Sequence, residues 1–221
     1  MFAAPLRDVI PSRTTPFVTV GLIALSAAVF IYQQQLPEPE VRRFFAAYGL
    51  VPGFVTPRSL LTSLFLHGGW FHLLVNMLFL WIFGDTVEDR MGHGRFAVFY
   101  VLSGTAAGFG QLAADPHGLV PMVGATGAVA GVIGAYFTMF PSSRVLTLVA
   151  IPIFYLDVVE VPAVFYAGLW FLLQLLGSAD TLQLRAAGGA TLGALAAGFL
   201  AGAGLGMLLR RRERLRVEWG E

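Results

Sequence analysis

Residues 60–84 read LLTSLFLHGGWFHLLVNMLFLWIFG, an apolar stretch that nevertheless contains His67, His72 and Asn76. Polar side chains are costly inside hydrocarbon, and those found there tend to face a partner or a water-filled cavity and to serve a site. His72 and Asn76 are four residues apart, so they lie one turn apart on the same helix face. The stretch therefore predicts a membrane-buried helix that carries a functional site or the remains of one.

The composition is that of a membrane protein. Of the 221 residues, 57% are hydrophobic and only 12% are charged, whereas soluble domains contain about 25% charged residues. The formal net charge of +1 argues against a nucleic-acid partner. The absence of Cys excludes disulfides, thiol nucleophiles and thiolate metal sites. We therefore expect a protein embedded in the lipid bilayer, and not a soluble helical bundle with an apolar core.

Six apolar runs predict the architecture, each close to the length that crosses about 30 Å of hydrocarbon. The runs are 16–35, 69–88, 95–114, 124–140, 160–178 and 187–209. Six spans place both termini on one side, and among the Arg residues only Arg42, Arg43, Arg58 and Arg185 fall on the other side. By the positive-inside rule both termini are cytoplasmic. We expect an all-α polytopic membrane protein with a cytoplasmic segment 1–15, a membrane domain 16–209 and a basic cytoplasmic tail 210–221.

Two connections between these runs are unusual. Residues 36–60 form a long outward loop rich in aromatic residues, which predicts that the loop lies half-embedded at the membrane interface. Residues 145–159 are apolar, but they are too short and too interrupted by Pro152 to count as a further span.

Small residues recur at every fourth position in the last run and repeatedly in the fourth. Such spacing lets two helix backbones approach closely, because packing drives helix association in lipid. We therefore predict that spans four and six touch along their lengths. The small residues are Ala186, Ala190, Ala194, Gly198, Gly202 and Gly206 in the last run, and Gly124, Gly127, Gly131 and Gly134 in the fourth.

These motifs together resemble the rhomboid intramembrane serine proteases. The pattern H-x4-H-x3-N begins at His67, GD-x-VED-x-MG covers 84–92, and G-A-x-G-A-x-x-G covers 124–131. The resemblance extends from about Tyr48 to Leu209, in the order and spacing of the family. It implies a six-transmembrane-helix rhomboid-like bundle, a loop lying sideways in the membrane, and a gap through which a substrate helix enters. We expect neither a cofactor nor a metal.

Members of this family cut transmembrane helices near their outer end. They use a Ser in G-x-S-G at the start of the fourth helix and a His on the sixth helix. The resemblance places Thr126 at the position of the nucleophile, flanked by Gly124 and Gly127. It places Leu195 at the position of the base. No His follows His117 in the sequence, so the base is missing in every register of the sixth helix.

The remaining polar residues also find counterparts in the resemblance. His72 and Asn76 match the oxyanion-side residues of the family, and His67 matches an additional His that precedes them. Gly131, Gly198 and Gly202 are expected to serve helix packing. His67, His72 and His93 lack the carboxylate neighbours and the spacing of a zinc site.

Three functions follow as hypotheses. The first is an inactive pseudoprotease of this serine-type endopeptidase family that binds transmembrane segments of client membrane proteins. It is favoured because a hydroxyl is a poor nucleophile without an adjacent base, and loss of one member of such a pair can cost on the order of 10⁶ in rate. The second is an active intramembrane endopeptidase that uses Thr126 with a nearby His, His72 first. The third is a small transporter, although the sequence shows no inverted repeat. The Ala-, Gly- and Arg-rich composition without Lys suggests a GC-rich bacterial genome. We therefore expect the protein in the inner membrane of a bacterium.

Overall fold

A computed structural model describes residues 2–10, 13–151, 155–180 and 188–210. Eight α-helices, three strands and two single-turn 3-10 helices are defined in this part of the chain. Pro152, Arg185, Ala186 and residues 211–221 of the predicted tail lie outside the described residues. In chain order the elements are β1 (Phe2–Asp8), α1 (Phe17–Gln35), α2 (Glu38–Tyr48), a 3-10 turn (Pro52–Phe54), α3 (Pro57–Thr62), a 3-10 turn (Ser63–Phe65), α4 (Trp70–Met91), α5 (His93–Ala114), α6 (Thr126–Met139), β2 (Arg144–Ile151), β3 (Tyr155–Pro162), α7 (Ala163–Asp180) and α8 (Gly188–Leu209).

The chain is mostly helical, and its longest helices have the character of membrane spans. In the described residues, four helices are long and apolar enough to cross a bilayer: α1, α4, α5 and the Leu192–Leu209 part of α8. Two further apolar helices, α6 and the Ala163–Leu175 part of α7, are shorter. Each of the six predicted runs thus contains a helix, while the crossing of the membrane by all six stays a prediction.

The expectation of an all-α fold is corrected by a three-stranded antiparallel sheet of order β1-β2-β3. The described residues of 145–159, a stretch set aside as too short for a span, lie in β2 and β3, which pair antiparallel, and residues of the predicted N-terminal segment pair with β2 as β1. The sequences RVLTLVAI and YLDVVEVP are rich in β-branched residues, which favour pleated structure. The sheet is bonded to the helices by Asp8 with Thr86, at 2.8 Å, and by Thr147 with Tyr166, at 2.6 Å.

The predicted outward loop is largely helical, which differs from the expectation of a loop. α2 follows Pro37 and has acidic residues in its first turn, where their negative charge interacts favourably with the helix dipole. α3 begins with a capping box in which Thr56 and Ser59 satisfy each other's backbone N–H groups. The Arg58 guanidinium lies over the Tyr48 ring, 4.3 Å from its centroid, and joins the two helices.

α4 continues through the acidic GD-x-VED motif to Met91, three residues past the end of the predicted run 69–88. Glu88 is fully buried in the last turns of α4. Its carboxyl group accepts hydrogen bonds from the N–H groups of Val18 and Thr19, at 2.9 and 2.7 Å, and from the Thr19 hydroxyl, at 2.7 Å. His93 Nδ1 lies 2.5 Å from Glu88 Oε1, the oxygen that also accepts from the Val18 N–H. Glu88 therefore satisfies donors at the start of α1 that have no partner within that helix.

α6 and α8 approach each other through glycine. A Cβ placed on Gly198 would meet the carbonyl of Gly127, and one placed on Gly202 would meet the backbone of Gly131. Any larger side chain at these positions would separate the two helices. α6 also contacts α5 and α4, and its residues 127–136 are all buried.

Candidate active site

The site begins at the turn that leads into α6. Gly124 has φ +121, a conformation that L side chains rarely adopt, and its N–H donates to the Ser63 carbonyl at 2.9 Å. A Cβ on Gly124 would lie 2.5 Å from Cε1 of His72. Glycine is thus required here for its conformation and for the space that it leaves. The turn presents Thr126, the first residue of α6, to the first turn of α4.

Thr126 is bonded to both polar residues of that face of α4. His72 Nε2 lies 2.7 Å from Thr126 Oγ1, and Asn76 Nδ2 donates to the same oxygen at 3.1 Å. Asn76 is fully buried, whereas His72 and Thr126 are partly buried. Two donors or acceptors spaced one helical turn apart therefore converge on one hydroxyl, and the catalytic or vestigial role of that hydroxyl stays a prediction.

His67 lies beside this cluster without bonding Thr126. Its ring centroid is 5.2 Å from that of His72, with the two rings in an edge-to-face arrangement. Gln33 of α1 holds its main chain by accepting from the His67 N–H at 3.2 Å and donating to its carbonyl at 2.9 Å. Both ring nitrogens are buried and have no hydrogen-bond partner within the described part of the chain. His67 is therefore positioned by its backbone, with its imidazole left for contact with His72.

Sequence reasoning missed a fourth polar member of the site, Gln174 of α7. Gln174 is only 7% exposed, and its Nε2 donates to Asn76 Oδ1 at 3.0 Å. The signal was present in the sequence, because an amide in the apolar run 160–178 meets the same criterion that singled out His72 and Asn76. The criterion was applied to the second run only.

Leu195, the position that the resemblance assigns to the base, is an apolar core residue with 2% exposure. The carbonyl of its neighbour Ala194 lies 4.0 Å from where a Cβ of Gly127 would stand, so this turn of α8 lies beside the first turn of α6. The described part of α8, 188–209, contains no residue with an ionisable side chain. A proton acceptor for Thr126 therefore has to come from another helix.

Two buried carboxyl groups, those of Glu88 and Asp8, lie near the opposite end of α4. Asp8 is 3% exposed and accepts hydrogen bonds from the Thr86 hydroxyl at 2.8 Å and the Tyr136 hydroxyl at 2.9 Å. Burial raises the pKa of the Asp8 carboxyl to about 6, and Asp85 adds to the rise while the two hydrogen bonds oppose it. Thr86 and His72 are separated by roughly 21 Å along the helix, at 1.5 Å per residue. Asp8 thus belongs to the attachment of the sheet and not to the Thr126 site.

Side chains that could bind a metal ion are the next feature of the site. No group of three or more His, Cys, Asp or Glu side chains close enough to hold one occurs among residues 2–10, 13–151, 155–180 and 188–210. The chemistry available at Thr126 is that of one hydroxyl, one imidazole in contact and two amides.

Comparison with known proteins matches residues 55–212 to the Rhomboid domain. Rhomboid protein 1, mitochondrial, of Saccharomyces cerevisiae is 33% identical over 135 residues, which cover 58% of this chain and 38% of that protein. The putative rhomboid protease YdcA of Bacillus subtilis is 32% identical over 130 residues, 58% of this chain and 64% of that protein. The presenilin-associated rhomboid-like protein, mitochondrial, of Homo sapiens is 29% identical over 139 residues, 61% and 35% respectively. The matched part therefore spans between about one third and two thirds of these relatives.

Proposed function

The chain belongs to the rhomboid family, and from that premise we propose that it is an inactive member that binds transmembrane helices of client proteins. It is an integral membrane protein, because apolar helices of spanning length accompany the family match. The observation that carries the proposal is the buried, apolar Leu195 at the position where the resemblance requires a base. Without that base, Thr126 lacks the partner that makes a hydroxyl nucleophilic in this family.

The hydrogen bonds of Thr126 support inactivity in a second way. Acyl transfer needs donors aimed at the oxygen of the substrate carbonyl as it becomes negative. Here the residues that match the oxyanion side, His72 and Asn76, are both bonded to the Thr126 hydroxyl itself. If His72 served as base, it would no longer be available as a donor to the oxyanion. One imidazole therefore cannot fill both roles in the same step.

Cleavage of a generic transmembrane reporter in proteoliposomes tests the loss of catalysis. The native chain is compared with the double variant Thr126→Ser plus Leu195→His. We expect a silent native chain and a double variant that cuts, because the scaffold around the two positions is retained. Cleavage by the native chain that Thr126→Ala abolishes would overturn the proposal.

Helix binding is tested separately from cleavage. The chain contains no Cys, so a single Cys introduced at an exposed position of α4 or α7, such as Leu74 or Leu172, reports crosslinking to a reporter helix without background. We expect crosslinks to transmembrane reporters from these positions and none from Gly204, which is exposed on α8. A chain that crosslinks equally from all three sites, or from none, contradicts specific helix binding.

A second candidate function is an active intramembrane endopeptidase, and one contact favours it. His72 Nε2 and Thr126 Oγ1 are at hydrogen-bond distance, 2.7 Å, as a nucleophile and its base must be. In that case His72→Gln and Thr126→Ala would each abolish cleavage by the native chain. Two relatives from Bacillus subtilis are named as rhomboid proteases, which favours activity, whereas Leu195 at the position of the base argues against it.

The placement in the membrane is proposed as follows. All six apolar helices cross the bilayer, both termini are cytoplasmic, and residues 16–209 form the membrane domain between the segment 1–15 and the tail 210–221. Relatives occur in both bacteria and mitochondria, and for this chain we propose the inner membrane of a bacterium. Labelling of single Cys residues at Arg13 and Arg210 with an impermeant reagent, before and after lysis of spheroplasts, tests the topology. Labelling of either site in intact spheroplasts would contradict the cytoplasmic placement of that terminus.

A further inference from the structure

A hydrogen bond joins α7 to the Thr126 site through Asn76. Gln174 Nε2 donates to Asn76 Oδ1 at 3.0 Å, and both side chains are buried, with 7% and 0% exposure. An amide side chain has one acceptor oxygen and one donor nitrogen. Because the oxygen of Asn76 is directed at Gln174, its nitrogen is the atom left to face Thr126.

The direction of this bond sets that of the bond from Asn76 to Thr126 and bears on the bond between Thr126 and His72. Asn76 Nδ2 donates to Thr126 Oγ1 at 3.1 Å, since an amide nitrogen cannot accept. Within the described residues, Thr126 Oγ1 has one further polar partner, His72 Nε2 at 2.7 Å. A hydroxyl can accept two bonds, or accept one and donate one. The second arrangement also gives the Thr126 proton an acceptor, and in it Thr126 donates to His72 Nε2. His72 then carries its own proton on Nδ1.

We propose that Gln174 is a positioning residue, which orients the Asn76 amide as a donor and thereby directs the Thr126 proton to Nε2 of His72. The inference goes beyond the proposed function, because the order of protons is the same whether the chain only binds helices or also cuts them. It also makes the site dependent on α7. Displacement of α7 allows the Asn76 amide to rotate. The hydrogen bond between Thr126 and His72 then no longer has one fixed direction.

The tautomer of His72 tests this order directly. The full chain is labelled with ¹⁵N-histidine and studied by nitrogen NMR in lipid bilayers at neutral pH. Four His residues give a simple spectrum, and His72→Gln identifies the His72 signals. We expect the unprotonated type of signal at Nε2 and the protonated type at Nδ1 in the native chain. A native His72 protonated at Nε2 overturns the proposal, because the chain of hydrogen bonds would then run the other way.

Gln174→Met preserves the size of the side chain and removes both its donor and its acceptor. We expect His72 to change from one tautomer to a mixture of two in this variant. Gln33→Met is the matched control, because Gln33 is also a buried amide but bonds the main chain of His67. Both variants lose stability, yet only Gln174→Met should alter the His72 tautomer. An unaltered tautomer in folded Gln174→Met contradicts the proposal. If Gln174→Met does not fold, the tautomer of His72 in the native chain is the test.

Discussion

His72 Nε2 and Thr126 Oγ1 lie 2.7 Å apart, so the first turn of α4 is tied to the first residue of α6. This bond links positions 54 residues apart in the sequence. It joins Thr126, which we propose stands at the position of the family's nucleophile, to His72, which we propose stands on the oxyanion side. The hydroxyl of Thr126 is thereby part of the structure, whether or not it performs chemistry.

Replacement of Thr126 by Val removes the hydroxyl and keeps the shape of the side chain. His72 and Asn76 then lose their common partner, and an unsatisfied buried polar group costs about 1–3 kcal/mol. We expect thermal unfolding in detergent at a lower temperature than for the native chain. Thr126→Ser keeps the hydroxyl and should lose less. Equal melting temperatures for Thr126→Val and Thr126→Ser would show that the bonds to Thr126 contribute nothing.

The contact between α6 and α8 is tested by Ala at two glycines of α8. A Cβ at Gly202 would collide with the backbone of Gly131, whereas nothing lies within 4 Å of a Cβ at Gly204. We expect Gly202→Ala to destabilise by about 1–3 kcal/mol, as overpacking does. Gly204→Ala should be neutral or stabilising, because Ala favours helix over Gly by up to about 1 kcal/mol. Unfolding of both variants in mild detergent measures the difference, and the same sign for both would argue against close packing.

Glu88 is predicted to hold the start of α1. Glu88→Ala leaves the N–H groups of Val18 and Thr19 without their acceptor, which should cost about 1–3 kcal/mol. Glu38→Ala is the control, because Glu38 forms an exposed ion pair with Arg42 and such pairs contribute at most about 1 kcal/mol. Denaturant unfolding followed by circular dichroism compares the two. A larger effect of Glu38→Ala would contradict the capping role.

Asp8 predicts a dependence of stability on pH. Its pKa is raised from 3.8 to about 6 in the folded chain, so the folded state binds a proton more tightly than the unfolded state. The contribution is complete below pH 3.8, falls as the pH rises to about 6, and is constant above that. Its size is at most about 3 kcal/mol.

Asp8→Asn should remove this contribution. The Asn side chain still meets the hydroxyls of Thr86 and Tyr136, but it does not titrate. We expect the native chain to lose stability relative to Asp8→Asn between pH 4 and 6, measured by thermal unfolding at constant ionic strength. Parallel curves for the two chains across this range would contradict the raised pKa.

Much of the helical architecture followed from local sequence. The run 16–35 predicts α1 within one residue of its start, because the length of an apolar segment is a property of the segment alone. The sheet was missed because the β-branched side chains of 144–151 and 155–162 pack on a pleated surface only when the strands pair, and residues 2–8 contain no β-branched residue that would signal a strand. The helices inside 36–60 were missed because the aromatic residues of this stretch indicate a place at the membrane interface and not a backbone conformation. Pro57 is the first residue of α3, a position where Pro is favoured.

The candidate site divides in the same way. The sequence by itself determined that His72 and Asn76 share a face, because residues four apart on a helix must do so. It also determined that no His follows His117. Only the tertiary structure decided that both side chains bond Thr126, that Gln174 bonds Asn76 from 98 positions away, and that Leu195 lies in the apolar core. Those contacts depend on how α4, α6, α7 and α8 pack, and the periodicity of one helix carries no information about the distance to another.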